Sequence, residues 1–222
     1  LLSVYRSSDG KEHDFRIIRE IINVPSVEAR VIDSANQIGY INLNQFGSRS
    51  DEEMKETISD LLDNKKVRGL ILDLRNNGGG DFDVSIAIAG IFLDGDKVVS
   101  AVDAQGNEKV YQASKGKVDI PLVVLVNEDS ASASEILAAA LRDNQRAVLV
   151  GKKTFGKGLV QTVFPLRNGG ALKLTTQKYY TPGGIDINEV GITPDYVVEN
   201  NADDDNDLQL DKAISVLKKQ IY

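Results

Sequence analysis

Asn127-Glu128-Asp129-Ser130-Ala131-Ser132-Ala133-Ser134-Glu135-Ile136 divides an apolar run, Pro121 to Val126, from an Ala-rich helical one, Ile136 to Leu141. An apolar β-type run that breaks at polar residues and resumes as a helix is a strand-to-helix elbow. Such a turn presents one side chain beside the unpaired amides of a helix start. Three serines, Ser130, Ser132 and Ser134, compete for that position. Ser132 and Glu135 also fit the Ser-x-x-Glu spacing of a capping box, so the same residues read equally as a plain helix start.

Composition narrows the classes. The 222 residues are 41% hydrophobic and 27% charged, ordinary for a globular chain with one substantial core. A net charge of -7 without a Lys/Arg cluster argues against a nucleic-acid surface. No apolar run approaches the roughly 20 residues of a membrane span. With no cysteine, thiolate catalysis and zinc-thiolate sites are excluded, while the compartment stays open. His13 is the single histidine, which excludes a multi-His metal site and leaves no base for a Ser-His pair unless it folds back onto the elbow. The chain starts at Leu1 without a signal peptide and is expected to be a piece of a longer protein.

Around the elbow the chain alternates strand and helix. Leu1 to Arg6 and Phe15 to Ile22 are expected as two strands joined by Ser7-Ser8-Asp9-Gly10. Ile38 to Leu43 forms a hairpin with Val31-Ile32, and Ser50 to Asn64 reads as a helix capped by Ser50 or Asp51. Gly69 to Leu74 is an apolar strand that runs into Arg75-Asn76-Asn77-Gly78-Gly79-Gly80 and a helix from Val84 to Leu93. Strand, glycine turn, helix is the layout of a backbone anion site. No nucleotide motif is present, and exposed amides there could equally hold an oxyanion. Asp73 and Arg75 are expected to pair and brace the turn. Ala147 to Gly151 repeats the strand pattern, so strand-turn-helix occurs twice and argues an α/β core.

Lys157 lies between Gly156 and Gly158, which allow close backbone approach, and it is either a partner for the serine or one of three solvated loop lysines with Lys152 and Lys153. The tail carries turns at Pro182-Gly183-Gly184 and Thr193-Pro194-Asp195, an acidic linker from Asp203 to Asp207, and an amphipathic helix from Leu208 to Ile221. Leu208 and Ile214 stand where a calcium loop needs glycine and a bidentate acid, so calcium is discounted.

Taken together, Asp73 to Gly80, Asn127 to Ile136, Gly151 to Gln161, Tyr180-Thr181-Pro182-Gly183-Gly184 and Gly191 to Asp195 resemble, in the same order, the carboxyl-terminal processing peptidases. The resemblance implies a crotonase-like spiral α/β core with flanking helices, preceded by a partial PDZ β-hairpin. The implied domains are a PDZ remnant over 1–26, a serine peptidase core over 27–200, and an acidic linker with C-terminal helix over 201–222. It implies a Ser-Lys dyad in which Ser132 is the nucleophile, Lys157 the general base and Gln161 the group that orients the lysine. Backbone amides of Ala133 and Gly79, with Gly78 one register away, would form the oxyanion hole. No cofactor or metal is implied. The implied partners are protein or peptide substrates with accessible, unstructured apolar C-termini, with an adaptor protein and a homo-oligomer left open. The implied setting is a bacterial periplasm or cell envelope, or else a thylakoid lumen. Two departures are Gly78, where the family often has proline, and Glu128-Asp129, where small residues commonly precede the serines.

The chemistry sets its own demand. A serine hydroxyl is a weak nucleophile until a base takes its proton, and a lysine amine can do so only if its pKa falls from about 10.4 toward 7. That shift costs about 4 kcal/mol, so Lys157 is expected to be largely desolvated and away from carboxylates. A glutamine suits the orienting role because it accepts a hydrogen bond without adding charge. The rival readings are a catalytically silent peptide- or ligand-binding relative, favoured if Lys157 is solvated, and a crotonase-type acyl-CoA enzyme, which would call for paired carboxylates near the glycine turn.

Overall fold

The computed structural model of the chain describes residues 1–20, 24–200 and 206–222. In chain order the strands are β1 (Leu2–Arg6), β2 (Lys11–Phe15), β3 (Val27–Asp33), β4 (Ile38–Leu43), β5 (Gly69–Asp73), β6 (Lys97–Asp103), β7 (Glu108–Gln112), β8 (Leu122–Val126), β9 (Val148–Gly151), β10 (Leu159–Pro165), β11 (Ala171–Tyr180) and β12 (Tyr196–Val197). The helices are α1 (Ser50–Ser59), α2 (Phe82–Phe92), α3 (Ala133–Asp143) and α4 (Leu208–Ile221).

A six-stranded sheet in the order β12-β9-β8-β5-β4-β3 forms the centre, parallel except where β3 pairs with β4. Every residue of β5 and β8 is buried, as expected of parallel strands covered on both faces. Their side chains alternate between two cores. Leu70, Leu72, Val124 and Val126 pack with Met54 of α1, Ile88 of α2 and Leu137 of α3, while Ile71, Val123 and Leu125 meet Ala213, Val216 and Leu217 of α4. The period of two in the strands thus assigns three helices to one face and the C-terminal helix to the other. A second, antiparallel sheet in the order β10-β11-β6-β7 stands beside the first.

Several boundaries differ from the sequence reading. The second strand is Lys11–Phe15, ending where Phe15 to Ile22 was expected to begin; Ile21 and Ile22 lie outside the described residues. Turn geometry decides this. Gly10 at φ +66 closes the turn so that Arg6 pairs with Lys11 and Leu2 with Phe15, and both strands are solvent-exposed, so no buried face sets the register. Ser50 is the first residue of α1 rather than its cap; its hydroxyl accepts from Gly47 N at 2.8 Å and donates to the Gln45 carbonyl. The expected helix to Asn64 finishes as a π-type turn over Asp60–Asn64. Helix α2 starts at Phe82, two residues early, because Asp81 caps it by accepting from Asp83 N and Val84 N.

Asp73 and Arg75 pair at 2.6 Å, and the same guanidinium reaches Asp207, the N-cap of α4, at 2.8 Å. Tyr40 Oη donates to Asp73, and Gln209 accepts from Arg75. The glycine turn and the C-terminal helix are therefore tied through one arginine. Burial pushes the Asp207 carboxyl up, but the hydrogen bonds from Arg75 outweigh it and hold the group below the usual range. The Lys218 hydrogen bond, with the Asn36 donors, holds Asp33 down at about 2 and fastens the other end of α4.

Both carboxyls have depressed folded-state pKa values. Their stabilisation is fully present above the unfolded value of about 3.9 and is lost as pH falls toward 2, so α4 should detach in that window, read by helix-specific hydrogen exchange. Arg75→Met should cost about 3 kcal/mol in urea unfolding at neutral pH, because Asp73 is left buried and unpaired. A loss under about 0.5 kcal/mol contradicts the bracing role.

Candidate active site

Three neighbouring parallel strands, β5, β8 and β9, end at one edge of the central sheet. β5 delivers the glycine turn, β8 the serine elbow, and β9 the loop that holds Lys157. The carboxyl ends of parallel strands are where α/β sheets place their sites.

At the elbow the three serines separate by burial. Ser130 is fully buried; its hydroxyl donates to the Leu74 carbonyl at 2.8 Å and accepts from Asn127 N. Ser134 is fully buried and donates to the Asn77 carbonyl at 2.8 Å. Both tie the elbow to the glycine turn. Ser132 is partly exposed, lines a cavity of about 330 Å³, and sits at φ +58, ψ -114. That left-handed backbone is uncommon for a residue with a Cβ and costs of order 1–3 kcal/mol, so its surroundings must hold it.

Glu135 supplies the hold. Its carboxylate, with no exposed surface, accepts from Ser132 N at 2.9 Å, Lys157 N at 2.8 Å, Gly156 N at 2.7 Å and the Thr154 hydroxyl at 2.6 Å. The serine elbow and the lysine loop are thus bound to one carboxylate. Thr154 Oγ1 in turn accepts from Ile192 N at 2.7 Å, and Phe155 N donates to the Ser130 carbonyl. The capping-box spacing marks Glu135 in the sequence, but only as a partner of Ser132. Its reach across to residues 154–157 carries no local signal.

The cavity also gathers Lys157 and Gln161, with Phe82 and Tyr179 stacked at 5.3 Å and Tyr111 edge-on to Phe82 at 4.9 Å. Burial, then Tyr111 and Asp83, push the Tyr179 phenol up to about 12, so it stays protonated. Lys152 pairs with Glu128 at 3.0 Å, which also neutralises one of the unusual acids before the serines. Lys157 differs: among the described residues its ammonium has no hydrogen-bond or ion-pair partner. It is exposed, not desolvated as the chemistry demands, and Gln161 is exposed beside it without a bond to it. The lysine loop is tightly placed, since Gly156 adopts φ +94 and a Cβ on Gly158 would lie 2.5 Å from Asn188 N. His13 pairs with Asp9 in the β1–β2 hairpin and does not line the cavity.

The amides are unequal. Ala133 N–H, at the first turn of α3, has no acceptor among the described residues. Gly79 approaches the elbow so closely that a Cβ there would lie 2.6 Å from the Ala131 carbonyl and 2.9 Å from Ala133 N. Its N–H, however, donates to Asn77 Oδ1 at 2.9 Å, and Gly80 is the turn residue that lines the cavity. A Cβ at Gly78 would meet nothing within 4 Å, so glycine in place of proline there is not demanded by packing. Buried Asn77, which also donates to the Leu43 carbonyl, is a site residue that sequence reading passes over. A larger depression of about 850 Å³ lies elsewhere, beside Arg142 and Arg146. Arg146 spends its guanidinium on the Phe92, Val118 and Ile120 carbonyls, a structural use.

A sheet that brings a strained serine elbow, a glycine turn and a lysine loop to one edge is the architecture of a serine-type peptidase core. The chain belongs to peptidase family S41, whose family model matches residues 37–198. It is 45% identical over 201 residues to a carboxyl-terminal-processing protease of Synechocystis sp., covering 89% of this chain and 47% of that protein. A carboxy-terminal-processing protease of Bartonella bacilliformis is 42% identical over 204 residues, covering 89% and 46%. Among solved structures, a photosystem II D1 C-terminal processing protease superposes with TM-score 0.74 at 33% identity, over 96% of this chain and 57% of that one. The chain spans about half the length of the curated relatives it matches.

Glu135→Gln replaces two of four acceptor positions with a donor NH₂. It should destabilise the fold by about 3 kcal/mol in urea unfolding, since buried donors lose their partners. Stability within about 0.5 kcal/mol of the parent would show that the carboxylate does not hold the two loops together.

Proposed function

We propose that the chain is the catalytic core of a serine endopeptidase, with Ser132 as nucleophile, Lys157 as general base and Gln161 orienting the amine. The observation that carries this is selective exposure: of the three elbow serines, Ser132 alone opens to a cavity, which it lines together with a lysine that has no carboxylate partner among the described residues. Neutral Lys157 takes the hydroxyl proton as Oγ attacks a peptide carbonyl, then returns it to the departing amine; water completes hydrolysis of the acyl-enzyme. Ala133 N–H receives the oxyanion, at the positive end of α3. Gly79 N–H joins it only after releasing Asn77. Substrate filling the cavity excludes water from Lys157 and supplies the desolvation that the free chain lacks.

The substrates in this reading are proteins with accessible, unstructured apolar C-termini, in keeping with the names of the relatives. An adaptor or a homo-oligomer belongs to the same reading, as does a bacterial periplasm or cell envelope ahead of a thylakoid lumen. Among the described residues no helix is long and apolar enough to cross a membrane. The exposure of Lys157 favours a second reading, a silent peptide-binding relative.

Casein hydrolysis separates the two. The parent chain should cleave, with a rate that climbs between about pH 6 and 10 as one group deprotonates. Ser132→Ala and Lys157→Ala should each lose at least about 1000-fold, and Gln161→Ala about tenfold. Lys157→Arg should be inactive, since arginine keeps its proton. Undiminished turnover by Ser132→Ala ends the proposal, and a parent chain that binds casein without cutting it supports the silent reading.

A further inference from the structure

Lys173, on β11, lines the catalytic cavity together with Gln177 and Tyr179 of the same strand, which carries a bulge between Thr175 and Gln177. Near the site, Lys152 pairs with Glu128, and Lys178, on the same strand as Lys173, pairs with Asp186. Lys173 and Lys157 have no carboxylate partner among the described residues, and no acidic residue lines the cavity. A chain of net charge -7 therefore presents a cavity whose only charges are two unpaired cations. Two acids stand behind the lining: buried Glu135, bonded to the backbone of Ser132 and Lys157, and Asp83, whose field reaches Tyr179.

From this arrangement we infer that Lys173 binds a carboxylate of the bound peptide and so selects where the chain is cut. The inference rests on the peptidase reading above for its consequence, though not for the binding itself. A sphere with the volume of the cavity is about 9 Å across, and an extended peptide rises about 3.3 Å per residue, so the carboxylate lies two or three residues from the bond at Ser132. It is either the C-terminal α-carboxylate or an acidic side chain at that distance. Lys157 cannot fill this role and remain a base, because a bound carboxylate would favour its protonated form. Lys173 supplies the charge while the amides of Gln161 and Gln177 add neutral donors.

Binding to the Ser132→Ala chain tests this without requiring turnover. An N-terminally labelled unstructured peptide with a free C-terminus should bind about fivefold tighter than its C-terminal amide, by fluorescence anisotropy at low salt, as suits an exposed charge pair. Adding Lys173→Met should bring that ratio to about one, and Lys173→Arg should retain it. An amidated peptide with Glu two or three residues past the cleavage point that matches the free acid assigns the carboxylate to a side chain. Equal binding of all three peptides, or a ratio that Lys173→Met does not change, overturns the inference. If the ratio is present and the parent chain cuts nothing, the peptidase reading fails and the carboxylate site stands.

Discussion

The site depends on one buried carboxylate. Taking an ion such as Glu135 out of water costs several kcal/mol, and the fold offsets this with four donors, none of them from a charged side chain. Three are backbone amides from turns that would otherwise leave buried N–H groups unpaired. By taking Ser132 N and Lys157 N on one carboxylate oxygen, Glu135 fixes the separation of two segments that are 25 residues apart in sequence. The left-handed backbone at Ser132 is a cost that this bond, with the Ser130 and Ser134 contacts to the glycine turn, overcomes.

Topology then makes the convergence inexpensive. Parallel neighbours β5, β8 and β9 point the same way, so their following loops meet without any long excursion. The antiparallel sheet contributes the opposite wall, with Tyr179 and Tyr111 around Phe82. The arrangement leaves Ala133 N–H and the Lys157 ammonium without partners among the described residues, while neighbouring Ser130, Ser134 and Asn77 are fully engaged. Groups whose hydrogen-bonding capacity is left open beside a cavity are those available to a ligand.

Much of this was legible in the sequence because the physical signals are local. The continuous apolar runs of β5 and β8 could only be strands buried on both faces, and the Ser-rich break after Val126 marked the elbow. The Asp73–Arg75 brace could be read from spacing, but its extension to Asp207 could not, since 132 residues separate the partners. The exposed hairpin at the N-terminus was misplaced because it has no buried face to impose a hydrophobic pattern, and turn geometry alone chose the register. Which of three serines faces the cavity is likewise a tertiary property, as is the occupation of Gly79 N–H by Asn77. The exposure of Lys157 is also a tertiary property that no local sequence signal carries.

The most direct measurement is intact-mass and peptide mapping of the parent chain after treatment with a fluorophosphonate, a reagent that phosphonylates activated serine hydroxyls with loss of fluoride. The account predicts one adduct, on Ser132, that fails to form in Lys157→Ala protein although the fold is retained. An adduct that forms at the same rate without Lys157, or that lands on another serine, would contradict it.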